Sequence, residues 1–356
     1  MRAVVYRGVN DLRVETVPVP AIGAKELLVK VAVCGVCPTD IKKIHYGTVA
    51  PPRIFGHETA GTIVKVGSRV PGLGFRLKPG DRVALHHHVP CLECHFCRHR
   101  AFAQCKTYKR TGITAGFEPA GGGFAEYVRV MDFVLPGVVK IPARNTFEEG
   151  AMLEPVNTVL KAVKRLNLLR GDTVLVAGQG PIGLMFTKIL QLHGMKVVAT
   201  DLLESRLKLA KRFGAKKAVL AAQLSTIDDP LDGAVIAVPS DAAVKQALER
   251  VRGAGQVLLF AHTKRALTPS GLCPLDLASV CLDEKDLIGS YSSDFTIQDE
   301  VAKLVFSRKL DVRRLITHRF PLDRTAAAVQ MAANPRPDSL KIIVSEGVPA
   351  IEKASV

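Results

Sequence analysis

The sequence contains no tryptophan, and aromatic residues make up only 5% of it. A surface that grips single-stranded nucleic acid by stacking bases on rings needs more than this. No run of eighteen or more apolar residues occurs, which excludes a membrane-spanning helix of ordinary length. A signal-peptide pattern is also missing, because Met1 leads straight into a strand-like Arg2-Ala3-Val4-Val5-Tyr6. A cytoplasmic protein with no membrane partner is the expectation. Acids are scarce beside bases, 33 against 49, giving a formal net charge of +16. Such an excess can mark a nucleic-acid partner. Here, however, Lys and Arg are spread through amphipathic stretches such as 204–213 (ESRLKLAKRF) and form no single tract. Solvated helix faces and attraction for a polyphosphate cofactor explain them, and no nucleic-acid partner is expected.

With 356 residues the chain exceeds one ordinary core, and two domains are the natural reading. The most informative stretch is Val174 to Asp201. Thr173 to Ala177 is short, apolar and β-branched, as a buried parallel strand should be. Gly178, Gly180 and Gly183 then spell G-x-G-x-x-G, with Pro181 and Ile182 opening a helix that Gly194 closes. A second strand, Lys196 to Thr200, ends on Asp201. In a dinucleotide site the first glycine makes the tight turn, the second admits the pyrophosphate and the third lets helix and strand pack closely. The helix amides and dipole then face the phosphates, and an acid in the place of Asp201 accepts the ribose hydroxyls. Arg206 is the one base near enough to blur a preference for NAD. Leu202 and Leu203 stand where an enzyme that uses NADP commonly has a base.

The βαβ rhythm continues. A helix over 204–213, strands near 218–220 and 234–238, a helix over 241–251, and strands over 256–261 and 287–291 complete a six-stranded doubly wound sheet. Val238, at the end of the fourth strand, joins the cofactor-binding candidates. The first 33 residues instead alternate as antiparallel β material. A single helix is expected from Glu149 to Leu169, with Val156, Val159, Leu160, Val163 and Leu166 on its core face. After 294 a helix, a strand, a helix and a strand are expected over 296–308, 316–320, 322–332 and 340–344.

Eight cysteines are present, and Cys91, Cys94, Cys97 and Cys105 fall within fifteen residues. Four thiolates so placed can enclose one tetrahedral zinc with no open position, which makes a structural site. An iron–sulfur cluster is the competitor, but bacterial-type motifs have a shorter last gap followed by Pro, and Lys106 follows here. A nucleic-acid-binding zinc ribbon is a third option, disfavoured because the lobe interrupts a larger β domain. His95 and His99 within the lobe, and the tract His86-His87-His88, receive no ligand role.

Between Cys34-Gly35-Val36-Cys37-Pro38-Thr39-Asp40 and the lobe stands Gly56-His57-Glu58, in a β-rich segment broken by Gly61 and Gly67. The segment 56–70 (GHETAGTIVKVGSRV) resembles the zinc signature of the medium-chain, zinc-dependent alcohol dehydrogenases. Cys37-x-Thr39, Pro79-Gly80-Asp81-Arg82-Val83, the cysteine lobe and Gly121-Gly122-Gly123-Phe124-Ala125-Glu126-Tyr127 occur in that family's order. The resemblance spans essentially the whole chain. It implies an α/β protein with a Rossmann doubly wound sheet and a β-rich, GroES-like catalytic domain. The expected parts are a catalytic zinc domain over 1–154 with its structural lobe at 91–105, a dinucleotide domain over 155–293, and a return to the first domain over 294–356.

The resemblance also implies two zincs per chain, NAD, a small-molecule alcohol as substrate, and a homodimer or homotetramer. The reaction would be reversible oxidation of an alcohol to a ketone or aldehyde with hydride passing to the nicotinamide. Cys37 and His57 match the first two catalytic zinc ligands. The third is Glu58 or Glu154, with Glu58 favoured in the resting enzyme. Glu154-Pro155 resembles the sorbitol and threonine dehydrogenase branch and tilts the substrate toward a polyol, sugar alcohol or secondary alcohol. Thr39 matches the hydroxyl that bonds the reacting oxygen and starts a proton relay, and His45 could pass that proton to solvent. Cys34 reads as a buried neighbour, and Phe55, Phe102, Phe117 and Tyr291 as pocket candidates. Pro38 departs from the family's usual Gly. An amino-alcohol dehydrogenase of the L-threonine type and a catalytically silent nucleotide binder are the alternatives.

Overall fold

The computed structural model describes residues 1–70, 77–86, 89–111 (backbone alone for 110 and 111), 120–261 and 275–346. The chain forms two compact units, one of residues 1–157 with 292 onward and one of residues 158–291. Among the described residues no helix is long and apolar enough to cross a membrane.

The first unit is built on strand Leu27–Gly35, whose sequence LLVKVAVCG is apolar and β-branched on both faces and is buried along most of its length. It sits in a seven-stranded sheet ordered Ile316–Phe320, Lys341–Ser345, Leu27–Gly35, Glu58–Val66, Arg82–Leu85 and Val139–Lys140, with Tyr127–Val130 also paired to Leu27–Gly35. Two antiparallel pairings set the geometry that matters later. Gly35 lies opposite Glu58 on one side and opposite Ile343 on the other. A smaller sheet pairs Arg2–Gly8 with Asp11–Thr16 and Arg53–Ile54. Directly after Gly35 the chain turns into helix Pro38–Tyr46, closed by Gly47 in the left-handed region. Pro38 occupies the first helical turn, where its missing N–H costs nothing. The departure from the family's glycine is therefore a helix-starting device.

The second unit is an open parallel sheet of six strands ordered Lys217–Leu220, Lys196–Asp201, Thr173–Ala177, Leu231–Ile236, Val251–Leu259 and Asp286–Gly289. Numbered along the chain this is 3-2-1-4-5-6, the order of a dinucleotide-binding doubly wound sheet. Helices Pro181–Leu192, Glu204–Arg212 and Asp241–Arg250 make the crossovers, and Ser240 caps the last of these through the amide of Ala243.

Three local expectations need correction. The single helix from 149 to 169 is two, Phe147–Ala151 and Leu153–Val163, parted at Met152. Thr146 and Glu149 form a capping box that starts the first helix earlier. Pro155 has no N–H to continue the backbone ladder across the break, and Leu166 lies beyond the second helix and is only half-buried. Strand Val251–Leu259 begins well before the apolar run at 256, with an irregular register opposite Leu231 and Gly233. The sixth strand stops at Gly289, short of Tyr291.

The three motif glycines have separable packing. A Cβ on Gly183 would collide with the carbonyl of Gly178, whereas one on Gly180 meets nothing within 4 Å. Gly183→Ala should therefore cost at least about 1–3 kcal/mol, while Gly180→Ala stays within about 0.5 kcal/mol. Thermal unfolding of the two variants checks this, and equal losses would contradict the assignment.

Candidate active site

Two chain segments meet where strand Leu27–Gly35 ends. Cys37 caps helix Pro38–Tyr46, His57 precedes strand Glu58–Val66, and Glu58 opens it. One ligand atom from each of Cys37, His57 and Glu58 lies within 4.8 Å of the others. Asp40, fully buried on the helix, sits 3.1 Å from Nδ1 of His57. That bond fixes the ring and leaves Nε2 available to a metal, the outer-shell arrangement of metal-binding histidines. Burial opposes charge on His57, yet Asp40 and then Cys37 hold its proton affinity well above the ordinary value. A site that holds a proton this firmly also suits a cation, and a sulfur, nitrogen and oxygen donor set suits zinc.

Glu58 has a second partner that its neighbours in sequence do not reveal. Lys341, the first residue of strand Lys341–Ser345, is only 5% exposed. Its Nζ forms a buried ion pair with Glu58 and donates to the Val36 carbonyl at 2.9 Å. Both carboxylate oxygens of Glu58 lie against the ammonium, Oε1 as its hydrogen-bond acceptor and Oε2 as its ion-pair contact. Burial works against the ammonium, but Glu58 and then Cys37 raise its pKa overall. Gly35 makes the pair possible, since a Cβ there would overlap the Glu58 carboxylate and press on Lys341 Cε.

Glu154 is buried in helix Leu153–Val163 and lies outside the close trio. Burial is the largest influence on it and pushes its pKa up to about 7, with His57 lowering it and Glu58 raising it. It therefore shares the field of the site as a second acid.

Thr39 is half-buried in the first turn of the helix, two residues from Cys37. His45 stands eight residues along that helix from Cys37, about 12 Å of rise, and its Nδ1 bonds Asn10. The structure thus engages His45 with the hairpin turn near Asn10, and no relay step is assigned to it. Cys34 is fully buried, touches the Thr59 hydroxyl at 3.5 Å, and is pushed by burial to about 12. It is a packed thiol. Phe55 is a correction: it is 1% exposed and its ring packs on Tyr6 at 5.2 Å, so it is core and lines no pocket. Phe102 packs on Phe295 at 5.4 Å, and Tyr291 is 48% exposed. Phe117, His87 and His88 lie outside the described residues. His86 is fully buried, pushed by burial down to about 4, and belongs to neither ligand group.

The second ligand group is Cys91, Cys94, Cys97 and Cys105. Sulfur separations of 3.9 Å (Cys91–Cys97), 3.5 Å (Cys94–Cys97) and 3.7 Å (Cys91–Cys105) fit the roughly 3.8 Å edges of a tetrahedron with zinc–sulfur bonds near 2.3 Å. Backbone bonds, first from Glu93, draw Cys91 down, while burial and then Cys94 push Cys97 up. Four crowded thiols cannot all ionise alone, and a central divalent cation removes that conflict. The two lobe histidines face each other, ring centroids 4.5 Å apart, and are not ligands.

In the second unit, Gly178 turns at φ 90° against Val238, and Gly180 heads the helix Pro181–Leu192 in open space. Asp201 accepts from the amides of Gln179 at 2.6 Å and Leu203 at 3.0 Å. Its carboxylate is thus anchored beside the glycine turn with lone pairs left over. Gln179 is fully buried, its side chain tied to the Val176 carbonyl and the Thr187 hydroxyl, both at 2.9 Å. Arg206 is buried on the inner side of its helix with Leu207 and Ala210. The turn fits a pyrophosphate: open at Gly180, headed by helix amides, and rigid behind.

A cysteine-clad lobe, a sulfur–nitrogen–oxygen site and a dinucleotide turn together define a zinc-binding dehydrogenase. Residues 23–143 match the family described as Alcohol dehydrogenase GroES-like domain, and residues 181–307 the family described as Zinc-binding dehydrogenase. The chain is 32% identical to a sorbitol dehydrogenase of Bombyx mori over 348 residues, 93% of this chain and 94% of the relative. It is 30% identical to a sorbitol dehydrogenase of Bacillus subtilis (strain 168) over 362 residues, 97% of each. A solved zinc-binding dehydrogenase from Sinorhizobium meliloti 1021, with NADP bound, superposes with a TM-score of 0.85 at 26% identity, covering 97% of this chain and 98% of the other. The chain belongs to the zinc-dependent medium-chain alcohol dehydrogenase family.

The two ligand groups predict separable losses. Cys97→Ser should lower zinc from two equivalents to about one and destabilise the fold, because structural zinc contributes folding energy. Cys37→Ser should also lose about one equivalent but keep its melting temperature and nucleotide binding. Metal analysis with thermal unfolding checks both, and a Cys37→Ser protein that keeps both zincs and its turnover would overturn the assignment.

Proposed function

We propose that this protein is a zinc-dependent oxidoreductase that reversibly oxidises a polyol or other secondary alcohol to its ketone, with NAD as hydride acceptor. The observation that carries this reading is the convergence of Cys37, His57 and Glu58 on one point, with Glu154 beside them. A zinc held by Cys37, His57 and a carboxylate would supply Lewis acidity that makes the alcohol a better proton donor, and a nicotinamide bound at the glycine turn would supply the hydride acceptor. The protein's own residues do the rest. Asp40 orients His57. Thr39, held at the helix start, offers a hydroxyl that can accept the alcohol's proton in a hydrogen bond and donate its own onward. Glu58 and Glu154 supply two carboxylates where the centre needs one, so one can bind while the other hydrogen-bonds the substrate.

The polyol preference rests on the Glu154-Pro155 pair and on the sorbitol dehydrogenases among the relatives. We further infer a homodimer or homotetramer from the family resemblance, and a cytoplasmic location as the sequence leads one to expect. Turnover on a panel of polyols, secondary alcohols and L-threonine tests the substrate class. Activity confined to L-threonine would favour the amino-alcohol reading, and none on any alcohol would favour the silent nucleotide binder.

Cofactor choice rests on Asp201. A 2′-phosphate carries about −2 at neutral pH, and like charges a few ångströms apart in a partly screened site cost on the order of a few kcal/mol. That corresponds to roughly a hundredfold preference for NAD. A solved relative carries NADP, so the fold by itself does not exclude a 2′-phosphate and the discrimination is local. We expect NAD to be favoured at least about tenfold in kcat/KM, with Asp201→Ala plus Leu202→Arg narrowing or reversing the ratio. Because Asp201 also braces the amides of Gln179 and Leu203, the double variant should lose absolute efficiency with NAD. Steady-state kinetics with both cofactors checks this, and a wild type that prefers NADP would contradict it.

A further inference from the structure

We propose that Lys341 is a positioning residue of the metal centre: its ammonium competes with the metal for Glu58 and so makes Glu58 a ligand that can leave. This rests on the catalytic-zinc reading of Cys37, His57 and Glu58.

Three observations carry it. First, Glu58 stands at a branch point. One of its oxygens lies within 4.8 Å of the Cys37 sulfur and a His57 nitrogen, while the same carboxylate is ion-paired to Lys341. Secondly, Lys341 is not a surface charge that happens to be near. It is 5% exposed, and its Nζ is fixed between Glu58 and the Val36 carbonyl, one residue from Cys37. A lysine is buried only where partners compensate the loss of water. Thirdly, Gly35 keeps the space the pair occupies, since any Cβ there would displace the carboxylate and crowd the lysine stem. Backbone, ammonium and carboxylate thus form one unit at the ends of three adjacent strands.

The consequence follows from competition. A buried carboxylate with no cation to hold it must bind the metal or take a proton. With Lys341 present, Glu58 has an alternative partner of opposite charge a short swing away, and a coordination position can open for the substrate oxygen. Without it, Glu58 should clamp the metal and close that position. A lysine that merely supported the fold would, when removed, loosen the metal. Competition predicts the opposite sign.

The test uses the zinc-loaded, full-length protein in four forms: wild type, Lys341→Met, Lys341→Arg and the double variant Glu58→Gln/Lys341→Met. Zinc release to a chromogenic chelator is followed alongside kcat, and the slow and fast zincs are assigned with Cys37→Ser. Lys341→Met should release the Cys37-dependent zinc more slowly and turn over more slowly, each by about tenfold, the scale of outer-shell effects. Lys341→Arg should restore both toward wild type. The double variant, which lacks the carboxylate, should release zinc at least as fast as wild type. Release from Lys341→Met at or above the wild-type rate would overturn the proposal, as would slow release that persists in the double variant. If Lys341→Met does not fold, Lys341→Gln gives the same comparison under the same criteria. A wild type with no Cys37-dependent zinc would instead refute the catalytic-zinc reading itself.

Discussion

The register of strand Leu27–Gly35 between its two antiparallel neighbours is the constraint on which the first unit depends. Gly35 faces Glu58 on one side and Ile343 on the other. Because side chains alternate with a period of two, a slip of one residue on either side would send Glu58 or Lys341 to the opposite face. Cys37 lies two residues past Gly35, so the same register delivers the thiol to the point where His57 and Glu58 arrive. The buried apolar run on this strand, with Leu27, Val29 and Val31 in one cluster and Cys34 in another, resists such a slip. The core therefore does chemical work: it fixes which charges meet.

Those charges are numerous for so small a volume. Cys37, Asp40, Glu58 and Glu154 are all potential anions, and Asp40, Glu58 and Glu154 are at most 5% exposed. Burying carboxylates without compensation is costly, and the protein compensates in three distinct ways. His57 takes up Asp40 through Nδ1, Lys341 takes up Glu58, and burial drives Glu154 toward its protonated form. A divalent metal needs its ligands deprotonated, so its binding at such a site is tied to proton release. The lobe solves a similar problem with less help. Its hydrophobic cluster has only Cys97, Cys105 and Tyr108 as buried members, too few for a core, and the sulfurs would supply the cohesion through a shared metal.

Much of this was legible in the sequence because the signals are local. G-x-G-x-x-G, the acid at Asp201 and the spacing of the four lobe cysteines lie within short windows, and the turn, the anchored carboxylate and the sulfur cluster all take shape from those windows. The βαβ rhythm likewise marks a six-stranded doubly wound sheet, which the second unit forms. What was not legible is long-range or rests on competition between local rules. Lys341 is 283 residues from Glu58, and a lysine opening the strand KIIVS reads as an edge residue reaching for water. Only the register, which sets Ile343 and Glu58 on either side of Gly35 with Lys341 two residues before Ile343 on the same face, brings the lysine to the acid. Asp40 receives no role from the sequence, although an acid three residues after a ligand cysteine is one helical turn from it. The break at Met152 arose because a capping box and Pro155 outweighed an unbroken apolar periodicity. Phe55 shows the reverse case: it stands two residues from a ligand in sequence, yet it packs in the core.

Both units use the absence of a side chain, and they use it for opposite ends. At Gly180 the missing Cβ leaves space open, which suits a pyrophosphate that must approach the backbone. At Gly183 and Gly35 the space is already filled, by the Gly178 carbonyl in one case and by the Glu58–Lys341 pair in the other. An open glycine tolerates a methyl without loss of stability, whereas a filled one does not, so the two kinds separate binding from packing in the same protein. The position of Gly35 is the more demanding, because what fills it is a pair of charges whose alignment sets the chemistry. A methyl group there would shift Glu58 relative to Cys37 and His57, and the metal centre would be altered from a residue that touches no metal.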